Sequence, residues 1–165
     1  MGEFVRHTLP PVYRQDSKIL ILGSMPSPKS REAGFYYGHP QNRFWRVLAA
    51  VFSAPIPVTN DEKRSFLLAR KIALWDVLSS CVIEGADDGS IRKPEPNRIE
   101  ALLSAAPIRA VFTTGGAATN YYRRLCLPQT GVESIPLPST SPANCRCHMD
   151  ELIQKYRVIL DYLKP

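Results

Sequence analysis

The chain has 165 residues, of which 44% are hydrophobic, so it is long enough and apolar enough to bury one sizeable core. No stretch approaches the roughly 20 apolar residues of a membrane-spanning helix, and the polar, proline-broken N-terminus does not resemble a secretion signal. The excess of 21 Lys and Arg over 15 Asp and Glu permits a polyanionic partner without requiring one. We therefore expect a single domain over residues 1–165, a monomer, with a cytoplasmic location.

Apolar runs and helical periodicities alternate along the chain. Four apolar runs predict buried strands, over residues 18–24, 72–78, 108–114 and 132–138. Helical spacing predicts five helices, over residues 42–52, 60–70, 97–105, 115–124 and 149–163. Candidate N-caps are Asn60 or Thr59 for the second helix and Asn97 for the third. The polar, Gly- and Pro-containing segments 25–41 and 79–96 are expected to be irregular loops. This alternation predicts a three-layer α/β/α sandwich with a short, mostly parallel central sheet.

Three segments follow predicted strands and should meet at one edge of the sheet, because ligand sites in such folds lie at the carboxyl ends of the strands. They are residues 23–42, 114–116 and 137–146. The first offers backbone amides, hydroxyl groups and three successive aromatic residues, which suit a pocket for a planar heterocycle. The last concentrates hydroxyl groups on a stiff, proline-containing loop, which suits phosphate contacts. From local sequence alone, an aromatic anchor for a long loop and a plain Ser/Pro connector remain open.

A few polar side chains in and near these segments are candidates for chemistry. Asn42 precedes the first predicted helix, where it is either an N-cap or the holder of a water or of a substrate edge. His39 precedes a proline, and bracing the loop explains it better than acid–base chemistry. Asp76 is the only acid at the end of a predicted strand, and a cap or a salt bridge explains it better than catalysis. His7 and His148 have no partner in the sequence.

Three motifs, taken in order, resemble the uracil-DNA glycosylase superfamily, and most of all its hypoxanthine-DNA (deoxyinosine) glycosylase branch. They are GSMPS at 23–27, HPQNRFW at 39–45 and LPSTSPAN at 137–144, and the resemblance extends from about Lys18 to Asn144. It implies excision of a deaminated base from DNA, with Asn42 as the catalytic residue and Tyr37 stacking on the extruded base. It further implies base contacts from Gly23, Ser24 and Met25, and DNA contacts from Ser27, Ser139, Ser141 and Asn144.

Two departures from the family pattern favour a base other than uracil. The GSMPS motif lacks the Asp or Asn that handles the hydrolytic water in relatives, and Leu137 stands where relatives often carry a His. The spacing of Cys81, Cys126, Cys145 and Cys147 does not suit the iron–sulfur cluster of some relatives, so we expect neither metal nor cofactor. The alternatives are a glycosylase acting mainly on uracil and a non-catalytic module that binds damaged DNA. A hydrolase of free nucleosides is disfavoured, because no acidic residues cluster in the sequence.

Overall fold

The computed structural model describes residues 2–165. Its strands are β1 (Glu3–Arg6), β2 (Ile19–Gly23), β3 (Ile72–Asp76), β4 (Leu78–Glu84), β5 (Asp87–Pro96), β6 (Ala110–Thr114) and β7 (Ser134–Leu137). Its α-helices are α1 (Pro28–Ala33), α2 (Phe44–Val51), α3 (Asn60–Ala69), α4 (Ile99–Ala105), α5 (Gly116–Tyr121), α6 (Leu127–Thr130), α7 (Met149–Tyr156) and α8 (Ile159–Leu163). A π-helical turn, Tyr122–Cys126, joins α5 to α6.

The central sheet consists of four parallel strands in the order β3-β2-β6-β7. Every residue of β2 is buried, as expected for a strand covered on both faces. The register places Gly23 beside Asp76 and Thr114 beside Leu137, so all four strands end at the same edge. The predicted α/β/α sandwich with a parallel central sheet is confirmed, and the predicted strands form it.

Alternate residues of the central strands point into two hydrophobic cores. One core lies under α2, α3, α7 and α8 and receives Ile19, Ile21, Ile72, Leu74, Ala110 and Phe112 from the sheet. The other receives Leu20, Leu22, Ala73 and Val111. It is closed by α4, by the segment from α5 to α6, and by a second, three-stranded sheet in the order β1-β4-β5. The second outer layer is therefore part helical and part β-sheet.

Residues 79–96 are not the irregular loop predicted from the sequence. They form most of an antiparallel hairpin, β4 and β5, to which β1 adds a third strand. Only four side chains of the two hairpin strands are buried, those of Leu78, Cys81, Ile83 and Ile91. The alternation of apolar and polar residues is therefore weak. The pairing of β1 with β4 also links residues as distant as Glu3 and Ile83. For both reasons, no local sequence pattern predicts these strands.

One helix cap was predicted correctly and the other was not. The Thr59 hydroxyl accepts a hydrogen bond from the backbone N–H of Glu62, and the Glu62 carboxylate accepts from the N–H of Thr59. This reciprocal pair is a capping box. Asn97 does not cap α4, which begins two residues later. Its side-chain amide donates instead to the carbonyl oxygens of Asp76 and Leu78, because these groups at the junction of β3 and β4 need partners.

Three other helical segments differ from the prediction. The expected loop at 25–41 contains the short helix α1, which Ser27 caps and Pro28 begins. The helix expected to end at Arg124 continues through the π-helical turn into α6. The C-terminal helix expected over 149–163 is divided into α7 and α8. Among residues 2–165, no helix is long and apolar enough to cross a membrane.

Candidate active site at the carboxyl ends of the sheet

A cavity of about 120 Å³, here called the central cavity, lies at the carboxyl ends of the parallel strands. Apolar cavities of about 150 Å³ take a benzene ring, so a flat aromatic group is the kind of ligand that a cavity of this size suits. Eight of the predicted site residues line it: Gly23, Ser24, Met25, Ser27, Tyr37, Asn42, Ser139 and Ser141. Asn144 does not, but it lines a wider adjoining groove together with Ser139 and Ser141. The structure thus brings all three predicted segments together.

Tyr37 forms a fixed aromatic wall of the central cavity. Its ring stacks on the buried ring of Phe44, with centroids 3.8 Å apart and planes inclined by 10°. Its hydroxyl lies 3.0 Å from the hydroxyl of Thr114, at the end of β6. Burial, and after it the negative charge of Asp76, raises the pKa of Tyr37 well above its usual value, so the phenol stays neutral. With one ring face covered by Phe44, Tyr37 can offer the other to a flat ligand.

Asn42 lies one residue before Arg43, the N-cap of α2, so it is not the N-cap itself, and its side chain binds the first helical residue and lines the cavity. Its Oδ1 accepts hydrogen bonds from the backbone N–H of Phe44 at 2.9 Å and from the hydroxyl of Thr140 at 2.8 Å. A backbone N–H can only donate, so the atom facing Phe44 is the oxygen and the orientation of the carboxamide is fixed. Among the described residues, nothing accepts a hydrogen bond from Asn42 Nδ2. The side chain therefore has donor capacity, and no free acceptor, to offer a ligand.

Arg43 fixes the loop of residues 139–147 against the start of α2. Its guanidinium donates to four backbone carbonyl oxygens, those of Thr140 (3.4 Å), Ser141 (3.0 Å), Asn144 (3.0 Å) and Cys147 (2.6 Å). The planar fork of donors suits such a cluster of acceptors. The sequence does not indicate this role, since the contacts span about a hundred residues. The motifs HPQNRFW and LPSTSPAN are thus parts of one structural unit.

The 139–147 loop is also held by its own side chains. The hydroxyl oxygen of Ser139 accepts from the N–H of Ser141, and that of Ser141 accepts from the N–H of Ala143, each at 3.1 Å. The Asn144 amide donates to the carbonyl oxygen of Ser139 at 2.9 Å. The two serine O–H groups have no acceptor among the described residues. They remain available as donors at the border between the cavity and the groove.

The GSMPS segment lines the cavity, but its side chains already have partners in the protein. The Ser27 hydroxyl caps α1 by accepting from the N–H of Ser30 at 3.1 Å, so this side chain already has a structural role. The Met25 side chain packs on the second hydrophobic core. In the part of the chain that the structure describes, the backbone N–H groups of Met25 and Ser27 donate to no protein acceptor. Such groups are suited to an anionic ligand atom.

Two acidic residues line the central cavity as well; the sequence favoured a cap or a salt bridge for Asp76 and gave no role to Asp88. Asp76, at the end of β3, accepts a hydrogen bond at 2.9 Å from Nε2 of His7, which follows β1. Asp88, in the β4–β5 hairpin, accepts at 2.9 Å from the hydroxyl of Ser24. Desolvation of its carboxyl raises the pKa of Asp88. The hydrogen bond from Ser24 lowers it by less, and the nearby charge of Asp76 raises it further. These contacts span 69 and 64 residues, so no local spacing reveals them.

The remaining candidates lie away from the cavity. His39 Nδ1 accepts from the backbone N–H of Gln41 at 3.1 Å and braces the loop. His148 precedes α7 without a capping hydrogen bond from its side chain. The four cysteines are free thiols, and only Cys145 is exposed. Within residues 2–165, no group of three or more His, Cys, Asp or Glu side chains is arranged to hold a metal ion.

The fold and the cavity define an α/β/α protein with a site at the strand ends and a hydroxyl-bearing loop beside it. Residues 10–164 match the family profile of the Uracil DNA glycosylase superfamily, and the chain belongs to this superfamily. It is similar to two proteins named hypoxanthine DNA glycosylase. That of Methanosarcina barkeri is 37% identical over 83% of this chain and 87% of its own length. That of Methanosarcina acetivorans is 33% identical over 86% of this chain and 90% of its own length.

A solved structure shares the fold as well. It is a solution NMR structure from Methanosarcina acetivorans, assigned provisionally to the uracil DNA glycosylases. The TM-score is 0.78 at 31% sequence identity, and the match covers 96% of this chain and 99% of that one.

Proposed function

We propose that this protein is a DNA glycosylase that removes hypoxanthine from DNA by hydrolysing its N-glycosidic bond. The observation that carries the proposal is the position of Tyr37 and Asn42 around one cavity at the carboxyl ends of the strands. A fixed aromatic face beside a free amide donor is what a flat, hydrogen-bonding base requires. The two relatives named hypoxanthine DNA glycosylase support the choice of base. The motif departures at GSMPS and Leu137 support it too.

The size of the cavity requires the base to leave the DNA stack. A duplex does not fit a cavity of about 120 Å³, so the nucleotide must be extruded, at a cost of a few kcal/mol. A mismatched base costs less to extrude than a normally paired one, which favours hypoxanthine over adenine. The serine hydroxyls of the 139–147 loop then lie where the adjoining groove would hold the DNA backbone. The net charge of +6 favours this contact.

Cleavage builds negative charge on the departing base and positive character on the sugar. The backbone N–H groups of Met25 and Ser27 and the Nδ2 group of Asn42 are donors that stabilise the base anion. Asn42 does not act as a base, because a carboxamide does not titrate usefully and both lone pairs of its Oδ1 accept hydrogen bonds. Its contribution is to orient and stabilise the base edge.

We propose that the enzyme acts as a monomer on DNA in the cytoplasm. No step of the proposed reaction uses a metal or an organic cofactor. The uracil-specific alternative keeps the same chemistry with a smaller base. The non-catalytic alternative keeps DNA binding and loses the hydrolysis.

The test is incubation with labelled duplexes carrying one deoxyinosine or one deoxyuridine, without added metal, followed by alkali. Breaks at inosine support the proposal, and breaks only at uracil keep the superfamily but change the substrate. Asn42→Ala should lose about 100-fold or more in rate while keeping DNA affinity, since a preorganised donor contributes about that factor. Gln41→Ala, at an exposed neighbouring residue, is the matched control. Intact binding without breaks at either base would show a binding module instead of an enzyme.

A further inference from the structure

We propose that Asp76 is the general base of the reaction, taking the proton of the attacking water, and that His7 positions its carboxylate. The inference rests on the proposed glycosylase function and extends it to a residue outside the three family motifs. Asp76 lines the central cavity from the end of β3. It thereby supplies, from the neighbouring strand, the carboxylate that GSMPS lacks.

The absence of a side chain at Gly23 brings Asp76 to the cavity. The two residues are partners in the parallel pairing of β2 and β3. A Cβ atom built on Gly23 would lie 2.6 Å from Oδ1 of Asp76 and 3.0 Å from the hydroxyl of Tyr37. Any larger residue at position 23 would therefore occupy the space through which this oxygen meets the cavity. Oδ1 accepts no hydrogen bond from the described residues, so it is available to a water.

The other carboxylate oxygen of Asp76 is held by His7. A carboxylate only accepts, so the 2.9 Å hydrogen bond to Oδ2 places the proton on Nε2 of the imidazole. Both side chains are almost fully enclosed, with 1% of His7 and 5% of Asp76 exposed. A carboxylate buried with one side-chain partner costs stability, because its second oxygen lacks a donor. Groups kept at such a cost are concentrated at functional sites.

The other polar groups lining the cavity are less suited to accept a proton. The Asn42 oxygen already accepts two hydrogen bonds. Tyr36 and Tyr37 have their pKa values raised by burial, and Tyr36 also donates its hydroxyl proton to the carbonyl oxygen of Pro10. Asp88 accepts from the Ser24 hydroxyl through Oδ1 and also has one oxygen without a partner, but it is an exposed residue of the β4–β5 hairpin. Asp76 presents its unoccupied oxygen from an enclosed strand end, where His7 holds the carboxylate.

The step balances without any further reactant. The oxygen of a water attacks C1′ of the extruded nucleotide as the C1′–N9 bond breaks, and the electron pair of that bond goes to N9 of hypoxanthine. The water proton passes to Oδ1 of Asp76, which leaves a hydroxyl group on the abasic sugar. Asp76 then releases the proton to solvent, and the hypoxanthine anion takes one up. General base catalysis of this kind contributes about 10²–10⁴-fold to a rate.

The first test compares Asp76→Asn with the parent protein under single-turnover conditions on an inosine duplex. The variant is isosteric and can still accept the His7 hydrogen bond, so its melting temperature should be no lower than that of the parent and it should still bind the duplex. We expect the excision rate to fall about 100-fold or more. Asp61→Asn, at an exposed residue in the first turn of α3, is the control. A rate within about threefold of the parent would overturn the role of Asp76 and leave the proposed function standing.

The second test is the pH dependence of the single-turnover rate, which a merely structural Asp76 would not alter. His7, Tyr36, Tyr37 and Asp88 are the titratable groups that interact with Asp76. We expect the parent rate to fall on acidification as the base becomes protonated, and Asp76→Asn to lose this acid limb. Asp88→Asn should keep it, and His7→Ala should lower kcat more than it changes KM. An acid limb retained in Asp76→Asn and lost in Asp88→Asn would assign the base to Asp88 and overturn the inference. Failure of the parent to excise any base would overturn both proposals.

Discussion

The hydroxyl of Thr140 donates a hydrogen bond of 2.8 Å to Oδ1 of Asn42 and so joins two motifs that lie 98 residues apart in the chain. Together with the N–H of Phe44, it holds the carboxamide with its NH₂ group unoccupied. Thr140 is almost fully buried, so its hydroxyl is held in place by the packing around it. The position of Asn42 therefore depends on the loop that follows β7 as much as on its own helix.

Thr140→Val should lower the excision rate about 10-fold, because the carboxamide loses one of the two bonds that fix its orientation. The free energy of unfolding should fall by about 1–2 kcal/mol, since a buried acceptor loses a partner. Thr140→Ser keeps the hydroxyl and should stay near the parent on both measures. Single-turnover kinetics and urea denaturation give the two numbers. A Val variant as active as the Ser variant would contradict this account of Asn42.

Arg43→Met should destabilise the protein by about 2–4 kcal/mol, because the guanidinium donates to four carbonyl oxygens that would lose their partner. The 139–147 loop should loosen, and DNA affinity should fall with it. Arg46→Met removes an equal charge from the exposed face of the same helix and is the control. Denaturation curves and titration with an inosine duplex at one salt concentration separate the two variants. Equal losses of stability and DNA affinity in both variants would mean that the positive charge, and not the hydrogen bonds from Arg43 to the 139–147 loop, causes the effect.

Much of this architecture could be predicted from the sequence because it depends on local patterns. The runs that become β2 and β6 are apolar throughout, and alternation with helices predicts a parallel sheet whose carboxyl ends share one edge. Because the strands end at one edge, the segments that follow them must meet there, and no side-chain contact is needed to predict it. These segments are residues 23–42, 114–116 and 137–146.

The remainder of the site could not be predicted, because it depends on pairs that no local pattern encodes. His7 reaches Asp76 only after β1 pairs with a hairpin whose strands have few buried side chains. Asp88 reaches Ser24 only because the same hairpin packs beside β2. Arg43 belongs to the HPQNRFW motif, but its four hydrogen-bond acceptors are backbone carbonyl oxygens. Every residue has such an oxygen, so the residue types in the sequence do not show which ones Arg43 binds.

Asp88→Asn should change the dependence of stability on pH. The pKa of Asp88 is raised in the folded state, so folding favours the protonated carboxyl. The parent therefore loses stability as pH rises from the unfolded-state value of about 3.9 through the higher folded-state value. The variant should melt above the parent at pH 7.5, by no more than about 2 °C because the residue as a whole is exposed, and the difference should vanish near pH 3.5. Melting curves across this range are the measurement, and a difference that grows on acidification would contradict the direction of the shift.

The native protein should present one reactive thiol. Burial raises the pKa of Cys126 to about 12 and also raises the pKa values of Cys81 and Cys147, so these three sulfurs stay protonated and enclosed. Cys145 is exposed and makes only a weak contact with the carbonyl oxygen of Pro142. A disulfide reagent that reports released thiolate should titrate one group at pH 8 in the folded protein and four in denaturant. Cys145→Ser should abolish the fast reaction. Fast modification of two or more thiols in that variant would mean that the cores around Cys81, Cys126 and Cys147 open far more readily than their burial indicates.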